Sequence, residues 1–295
     1  MRLPGHIVGD PPLEEVAAMS ASLSTVPVAG GHLTVAQWNP ARRHPEPARP
    51  VLAIHGITAS HRAWSAVAAA HPGRIIAPDL RGRGGSSELS GPFGMAAHAE
   101  DCVAVLDAHG IDEAVVVGHS MGGFVAAVLA HRYPERVAKL VLVDGGAPLP
   151  GVDDIETALG PAVKRLSMRF PDRESYRDFW RAHPAFAEWT ADIESYVDYD
   201  LIGTEPELRS RVNADAVRTD FLDLHSGDVP RAAFAALKPD TLLIRATKGL
   251  FDEPSPLYPH TEDYPFTVRT VDGSNHYSIL FGADGVRAVA SALAS

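Results

Sequence analysis

The 295-residue chain predicts an α/β fold: a doubly wound, mostly parallel sheet of about eight strands, with a helical cap inserted after the sixth strand. Three observations carry this reading. Short apolar runs alternate with helical patterns from residue 50 to about 145. The alternation lapses over 147–235, where charged and aromatic residues sit in successive helical patterns. Strand-like runs return at "DTLLIRAT" and "PFTVRTV". Alternating strands and helices build a parallel sheet covered on both faces, and such strands read as continuous apolar runs rather than alternating ones. The insertion therefore lies between two strands of one sheet. The predicted core is 1–146 with 236–295, and the predicted cap is 147–235.

Taken in order, the first two dozen residues carry no strong period. "STVPVAG" and "HLTVAQW" are apolar runs joined by Gly30-Gly31, a hairpin signal. The proline-rich "ARRHPEPARP" is a loop, and "VLAIHG" (51–56) is a strand covered on both faces. "HRAWSAVAAA" has helical spacing, "RIIAPDL" is a short strand, and the glycine-rich "RGRGGSSELSGPFG" is a loop. "AAHAEDCVAVLDAHG" is a helix ending at Gly110. "EAVVVGHS" is a strand, "MGGFVAAVLAHRYP" a helix stopped by Pro134, and "VAKLVLVDG" a strand. "GPAVKRLSMRF", "RESYRDFWRAH", "FAEWTADIESYVDYDL" and "PELRSRVNADAVRTDFLDL" read as the helices of the insertion, and "GVRAVASALAS" as a closing helix.

Composition narrows the function class. Hydrophobic residues are 45% and charged residues 21%, an ordinary globular balance, and the formal net charge is −11. Such acidity excludes a basic nucleic-acid footprint and disfavours an anionic membrane surface. No window approaches a membrane span, and "MRLPGHIVGDPPLEEV" has no apolar signal core, so a cytoplasmic protein is expected. The single cysteine, Cys102, cannot form an intrachain disulfide and is read as a buried core thiol.

Chemistry concentrates at Gly118-His119-Ser120-Met121-Gly122-Gly123. A serine before a helix can be a simple N-cap. Here a strand enters, a Gly-x-Ser-x-Gly turn follows and a helix leaves, which is the arrangement of a nucleophile elbow. The glycines allow the strand and helix to cross closely, and the sharp turn pushes the hydroxyl out above the sheet. The helix N-terminus offers free N–H groups and a positive dipole end, so the backbone N–H of Met121 is a natural donor to an oxyanion.

These motifs resemble the α/β-hydrolase fold family, and the resemblance runs from "VLAIHGITAS" to "DGSNHYSIL". His55-Gly56 is similar to the family's oxyanion loop, "PDLRGRGGSS" to the loop after its next strand, and the insertion to its helical cap. The resemblance implies a serine, acid, histidine order along the chain. It also implies that the second oxyanion donor is the backbone N–H of Ile57, and that His55 fixes its loop rather than acting as a base. Asp79, Arg81 and Arg83 read as loop architecture.

Of 14 histidines, five follow Ser120. His131 lies 11 residues along the same helix, about 16 Å away along its axis, and cannot reach. His183 and His225 fall in the insertion, and His260, in a proline-rich loop, is the runner-up. His276, in the turn after the last strand, is the expected base. The acid should also follow a strand. Asp252, after "DTLLIRAT", is favoured, since the family usually places its acid there; Asp144, after "VAKLVLVDG", is the alternative; adjacent Glu253 ranks third. Asp272 reads as a turn former with Gly273.

The insertion supplies the aromatic residues expected to roof an apolar pocket over Ser120. Trp180 and Trp189 are candidates, with His55, Trp64 and Phe124 from the core. No metal-ligand spacing is present, and the "RGRGGSS" glycines fit no dinucleotide or phosphate fingerprint, so neither metal nor cofactor is expected. The expected activity is hydrolysis of an ester, lactone or thioester of a small, largely apolar molecule by a monomer or homodimer. Amide or carbon–carbon hydrolysis, and a slow ligand-binding receptor, are the alternatives. An aspartate-nucleophile chemistry is disfavoured by Ser120 itself.

Overall fold

A computed structural model describes residues 21–39, 49–149 and 164–294. The expectations for the first twenty residues, for most of the proline-rich loop and for the start of the insertion lie outside the described residues. Eight strands form one sheet in the order β1-β2-β4-β3-β5-β6-β9-β10. They are β1 (Ser22–Val28), β2 (Gly31–Trp38), β3 (Val51–Ile54), β4 (Ile75–Pro78), β5 (Ala114–His119), β6 (Val137–Val143), β9 (Leu242–Ala246) and β10 (Thr267–Val271). The β1–β2 hairpin and the β2–β4 pair are antiparallel, and every other pairing is parallel.

The central strands are apolar throughout because both faces are covered: each residue of β3, β4 and β5 is buried. Successive side chains point to opposite faces. Val115 and Val117 of β5 therefore enter one core layer, and Ala114 and Val116 the other. The first layer is closed by α1 (Ser65–Ala70), α8 (Ser278–Phe281) and α9 (Ala283–Ala294), and the second by α2 (Met95–Ala108) and α3 (Met121–Arg132). Each fully buried Val, Leu or Ile contributes roughly 1.5–3 kcal/mol, so two such layers dominate stability. Cys102 is buried in the second layer, where burial pushes its thiol pKa up. Helix α2 stops because Gly110 takes φ +65°, which lets its N–H reach Asp107 O and that of Ile111 reach Leu106 O.

Between β6 and β9 lie α4 (Arg173–Arg181), α5 (Ala191–Asp200), α6 (Ala214–Ser226) and α7 (Asp228–Ala235). Side chains of Asp172, Thr190 and Asn213 cap the first three by accepting from backbone N–H groups. A two-residue pair, β7 (Leu201–Ile202) with β8 (Arg209–Ser210), interrupts them, and strands that short leave no period to read. Residues 228–235, within the expected cap bounds, form α7, which packs on α3 beside the second core layer. Several polar contacts join cap to core. Tyr199 of α5 donates to Asp79 at 2.8 Å, and Asp220 of α6, fully buried, binds Arg83 at 2.5 Å and His98 at 2.9 Å.

Candidate active site

Ser120 sits between β5 and α3 at φ +55°, ψ −124°, a conformation rarely open to a side-chain-bearing residue. Its side chain makes no capping hydrogen bond to the helix. The flanking glycines are sterically required. A Cβ on Gly118 would lie 2.0 Å from Gly122 O, and one on Gly122 would lie 2.1 Å from Ile54 O. Strand, elbow and helix are in backbone contact here, and the serine is held out by that crossing.

His276 lies in the buried turn after β10. Its carbonyl accepts from Nε2 of His119, the residue before the elbow serine, at 2.9 Å. Burial, reinforced by the neighbouring His276, keeps the His119 pKa far below the usual histidine value. Nδ1 of His276 donates to Asp144 Oδ2 at 2.7 Å. Asp144 follows β6 at φ +44° and is fully buried, and its Oδ1 accepts from the backbone N–H of Ala246 at 3.1 Å. A carboxylate only accepts, so Nδ1 carries a proton, and in the neutral ring Nε2 is the nitrogen with the lone pair.

Ser120 and His276 open into the same cavity, of about 270 Å³. Its walls are mainly apolar, with Ile57, Phe179, Trp180, Leu280 and Phe281 among them. Ile57 belongs to the loop after β3. The loop is tied down by Arg83, whose Nε donates to Ile57 O at 2.9 Å. Met121, the first residue of α3, follows the serine directly.

A family model described as the alpha/beta hydrolase fold matches residues 49–283. The chain belongs to the α/β-hydrolase fold family. It is 45% identical over 106 residues to lipase LipV of Mycobacterium tuberculosis, covering 36% of this chain and 40% of LipV. It is 42% identical over 98 residues to a 2-hydroxymuconate semialdehyde hydrolase of Pseudomonas putida, spanning 35% of that protein. An enzyme of the same name from a Pseudomonas sp. is 29% identical over 216 residues, 66% of this chain and 68% of its own length. The chain thus spans well under half the length of the first two relatives. Among solved structures, E-2-(acetamidomethylene)succinate hydrolase superposes with a TM-score of 0.72 over 92% of this chain and 98% of that one, at 19% identity. The thioesterase domain from the curacin biosynthetic pathway gives 0.69 over 94% and 100%, at 23% identity. These two likenesses speak to the fold.

The geometry of this α/β hydrolase departs from expectation at the acid. Asp252, the favoured candidate, does not meet His276. Its carboxylate accepts from Lys248 Nζ at 2.8 Å and Asn275 Nδ2 at 2.9 Å, and the Lys248 bond holds it below the usual carboxylate range. Glu253 accepts from the N–H of Phe251 and closes the same loop. The alternative, Asp144, is the one in contact. Its strand, β6, adjoins the serine-bearing β5, whereas Asp252 follows β9, one strand further out.

The pocket candidates also divide. Trp180 lines the cavity. His55 is fully buried below the loop, donating from Nδ1 to Gly56 O at 2.8 Å and accepting on Nε2 from Leu80 N–H at 3.0 Å; burial lowers its pKa to about 4. Trp64 is buried in the first core layer and Phe124 in the second, and neither reaches the cavity. Trp189 donates to Glu194 at 3.1 Å and lies under Arg181 on the cap. Tyr277 and Phe281 line the cavity without having been anticipated; their i, i+4 spacing just after His276 was the available signal. Arg165 also lines it, and no pattern in the sequence marked it. Among the described residues no cluster of three metal-ligating side chains is present, and no helix is long and apolar enough to cross a membrane.

Proposed function

We propose that the chain is a serine hydrolase that transfers the acyl group of a small, largely apolar ester to water. The observation that carries this reading is that Ser120 and His276 face one apolar cavity while His276 Nδ1 is held by buried Asp144. Nε2 of His276 takes the Ser120 proton as Oγ attacks the acyl carbon. The N–H groups of Met121 and Ile57 receive the oxyanion. Asp144 stabilises the imidazolium and fixes its tautomer. The imidazolium then protonates the departing alkoxide, and water, deprotonated by His276, releases the acid and regenerates Ser120.

The test is labelling with a fluorophosphonate, with the adduct located by mass spectrometry, beside turnover of p-nitrophenyl esters by the wild type and Ser120→Ala. An adduct on Ser120 and loss of turnover in the variant are expected. No adduct on Ser120 would overturn the reading. A second reading, cleavage of a carbon–carbon bond beside a ketone by the same residues, is favoured by the long alignment with 2-hydroxymuconate semialdehyde hydrolase. Labelling without turnover of any ester, together with turnover of a vinylogous diketone, would select it.

A further inference from the structure

Among the described residues, one Lys or Arg side chain, Arg165, lines the cavity beside Ser120, and the proposed chemistry does not use it. Arg165 comes from the helical turn at residues 164–167, and its side chain is only 10% exposed. Its Nη1 donates to Asp200 at 3.3 Å and to the Tyr176 hydroxyl at 3.4 Å. Its Nε and Nη2 have no hydrogen-bond partner among the described residues. Those two N–H groups form one edge of the planar guanidinium, the edge that matches both oxygens of a carboxylate. The plane is set by the Trp180 ring, 5.0 Å from the guanidinium carbon.

Two further donors face the same space. Tyr196 and Tyr277 both line the cavity, both are within electrostatic reach of Arg165, and neither hydroxyl has a hydrogen-bond partner among the described residues. Asp200 does not need the open edge of Arg165. It already accepts from Tyr176, from Ser210 at 2.9 Å and from Nη1. An N–H edge of a cation that opens into an apolar-walled cavity is placed to meet an anion that enters it.

We propose that Arg165, with Tyr196 and Tyr277, binds a carboxylate carried by the substrate, so that the preferred substrates are acyl compounds with a free carboxylate at the end remote from the cleaved bond. This rests on the serine-hydrolase reading and names its substrate class. The guanidinium edge would accept a phosphate equally well by shape. Charge decides between them. Asp200 already balances Arg165, so a monoanion leaves one excess negative charge in the cavity and a dianion leaves two.

The experiment compares kcat/KM for monomethyl and dimethyl esters of succinate, glutarate and adipate. The wild type is expected to favour the half-ester, and Arg165→Gln to lower the half-ester to diester ratio by about 30-fold or more, as for loss of a hydrogen-bonded charge. Arg165→Lys should fall between the two, and Tyr196→Phe should lower the ratio several-fold, which keeps the test open if Arg165→Gln fails to fold. A wild type that prefers the diester, or a ratio unmoved in folded Arg165 variants, would overturn the proposal. Calorimetric binding of monomethyl glutarate to Ser120→Ala separates the two readings. If no ester is turned over, the hydrolase reading fails. Binding lost on adding Arg165→Gln still upholds the carboxylate site, and absence of binding sinks it.

Discussion

Nδ1 of His276 meets the Asp144 carboxylate at 2.7 Å across 132 residues of sequence. The contact is buried on both sides, and the second oxygen of Asp144 is taken by the Ala246 N–H. The carboxylate therefore has one orientation, and so does the imidazole it holds. Asp144→Asn should keep the fold and lower kcat by about 10³–10⁴, the loss expected when the imidazole is held in the wrong tautomer. Asp252→Asn should stay within about tenfold of wild type. Rates of fluorophosphonate labelling read both variants without assuming a substrate, and equal losses would argue against the Asp144 assignment.

The elbow glycines are a stability prediction. The Cβ of Gly122→Ala would meet the carbonyl of Ile54, which is backbone and cannot swing aside. A loss of more than about 3 kcal/mol is expected, as for other severe backbone clashes. Gly110→Ala meets open space and carries only the cost of its positive φ, about 1 kcal/mol. Urea unfolding of the two variants side by side measures the difference.

Asp220 ties the cap to the loop after β3. It pairs with Arg83, and Arg83 holds Ile57 O. Asp220→Asn leaves a buried guanidinium without its counter-charge, a change that costs about 3–5 kcal/mol. Stability measured by urea should fall by that amount, and labelling of Ser120 should slow as the loop loosens. Normal stability in the variant would contradict the role assigned to the pair.

Acid should destabilise the protein through His55. Burial lowers its folded pKa to about 4, against 6.5 for the exposed side chain. Between those values the unfolded chain binds the proton and the folded chain does not, so stability is complete above pH 6.5 and falls as pH drops towards 4. The loss approaches roughly 3 kcal/mol. Asp220 adds to it further down: burial opposes its charge, but His98 and Arg83 more than offset this and depress its pKa, so its stabilisation is lost at lower pH still. Urea midpoints at pH 7.5, 5.5 and 4.5 should fall in turn, less steeply for His55→Gln, and a flat wild-type profile would refute this account.

Local chemistry made much of this protein legible in one dimension. Continuous apolar runs announced strands covered on both faces, and Gly-x-Ser-x-Gly between a strand and a helix announced Ser120, because a tight crossing excludes any Cβ at its glycines. Chain order after the serine, with the short reach of a helix, left His276 as the expected base, the role proposed for it here. These are short-range constraints that neighbours along the chain impose. The acid was different. Asp144 and Asp252 both follow strands, and only the packing of the sheet put β6 beside β5 and let Lys248 and Asn275 draw Asp252 away. The pocket followed the same logic. Trp180 faces the cavity and Trp189 the cap surface because of how the cap helices turn against the core, and Arg165 gained its meaning from the cavity it enters. Contacts between residues far apart in sequence depend on the docking of whole elements, and that docking is decided in three dimensions.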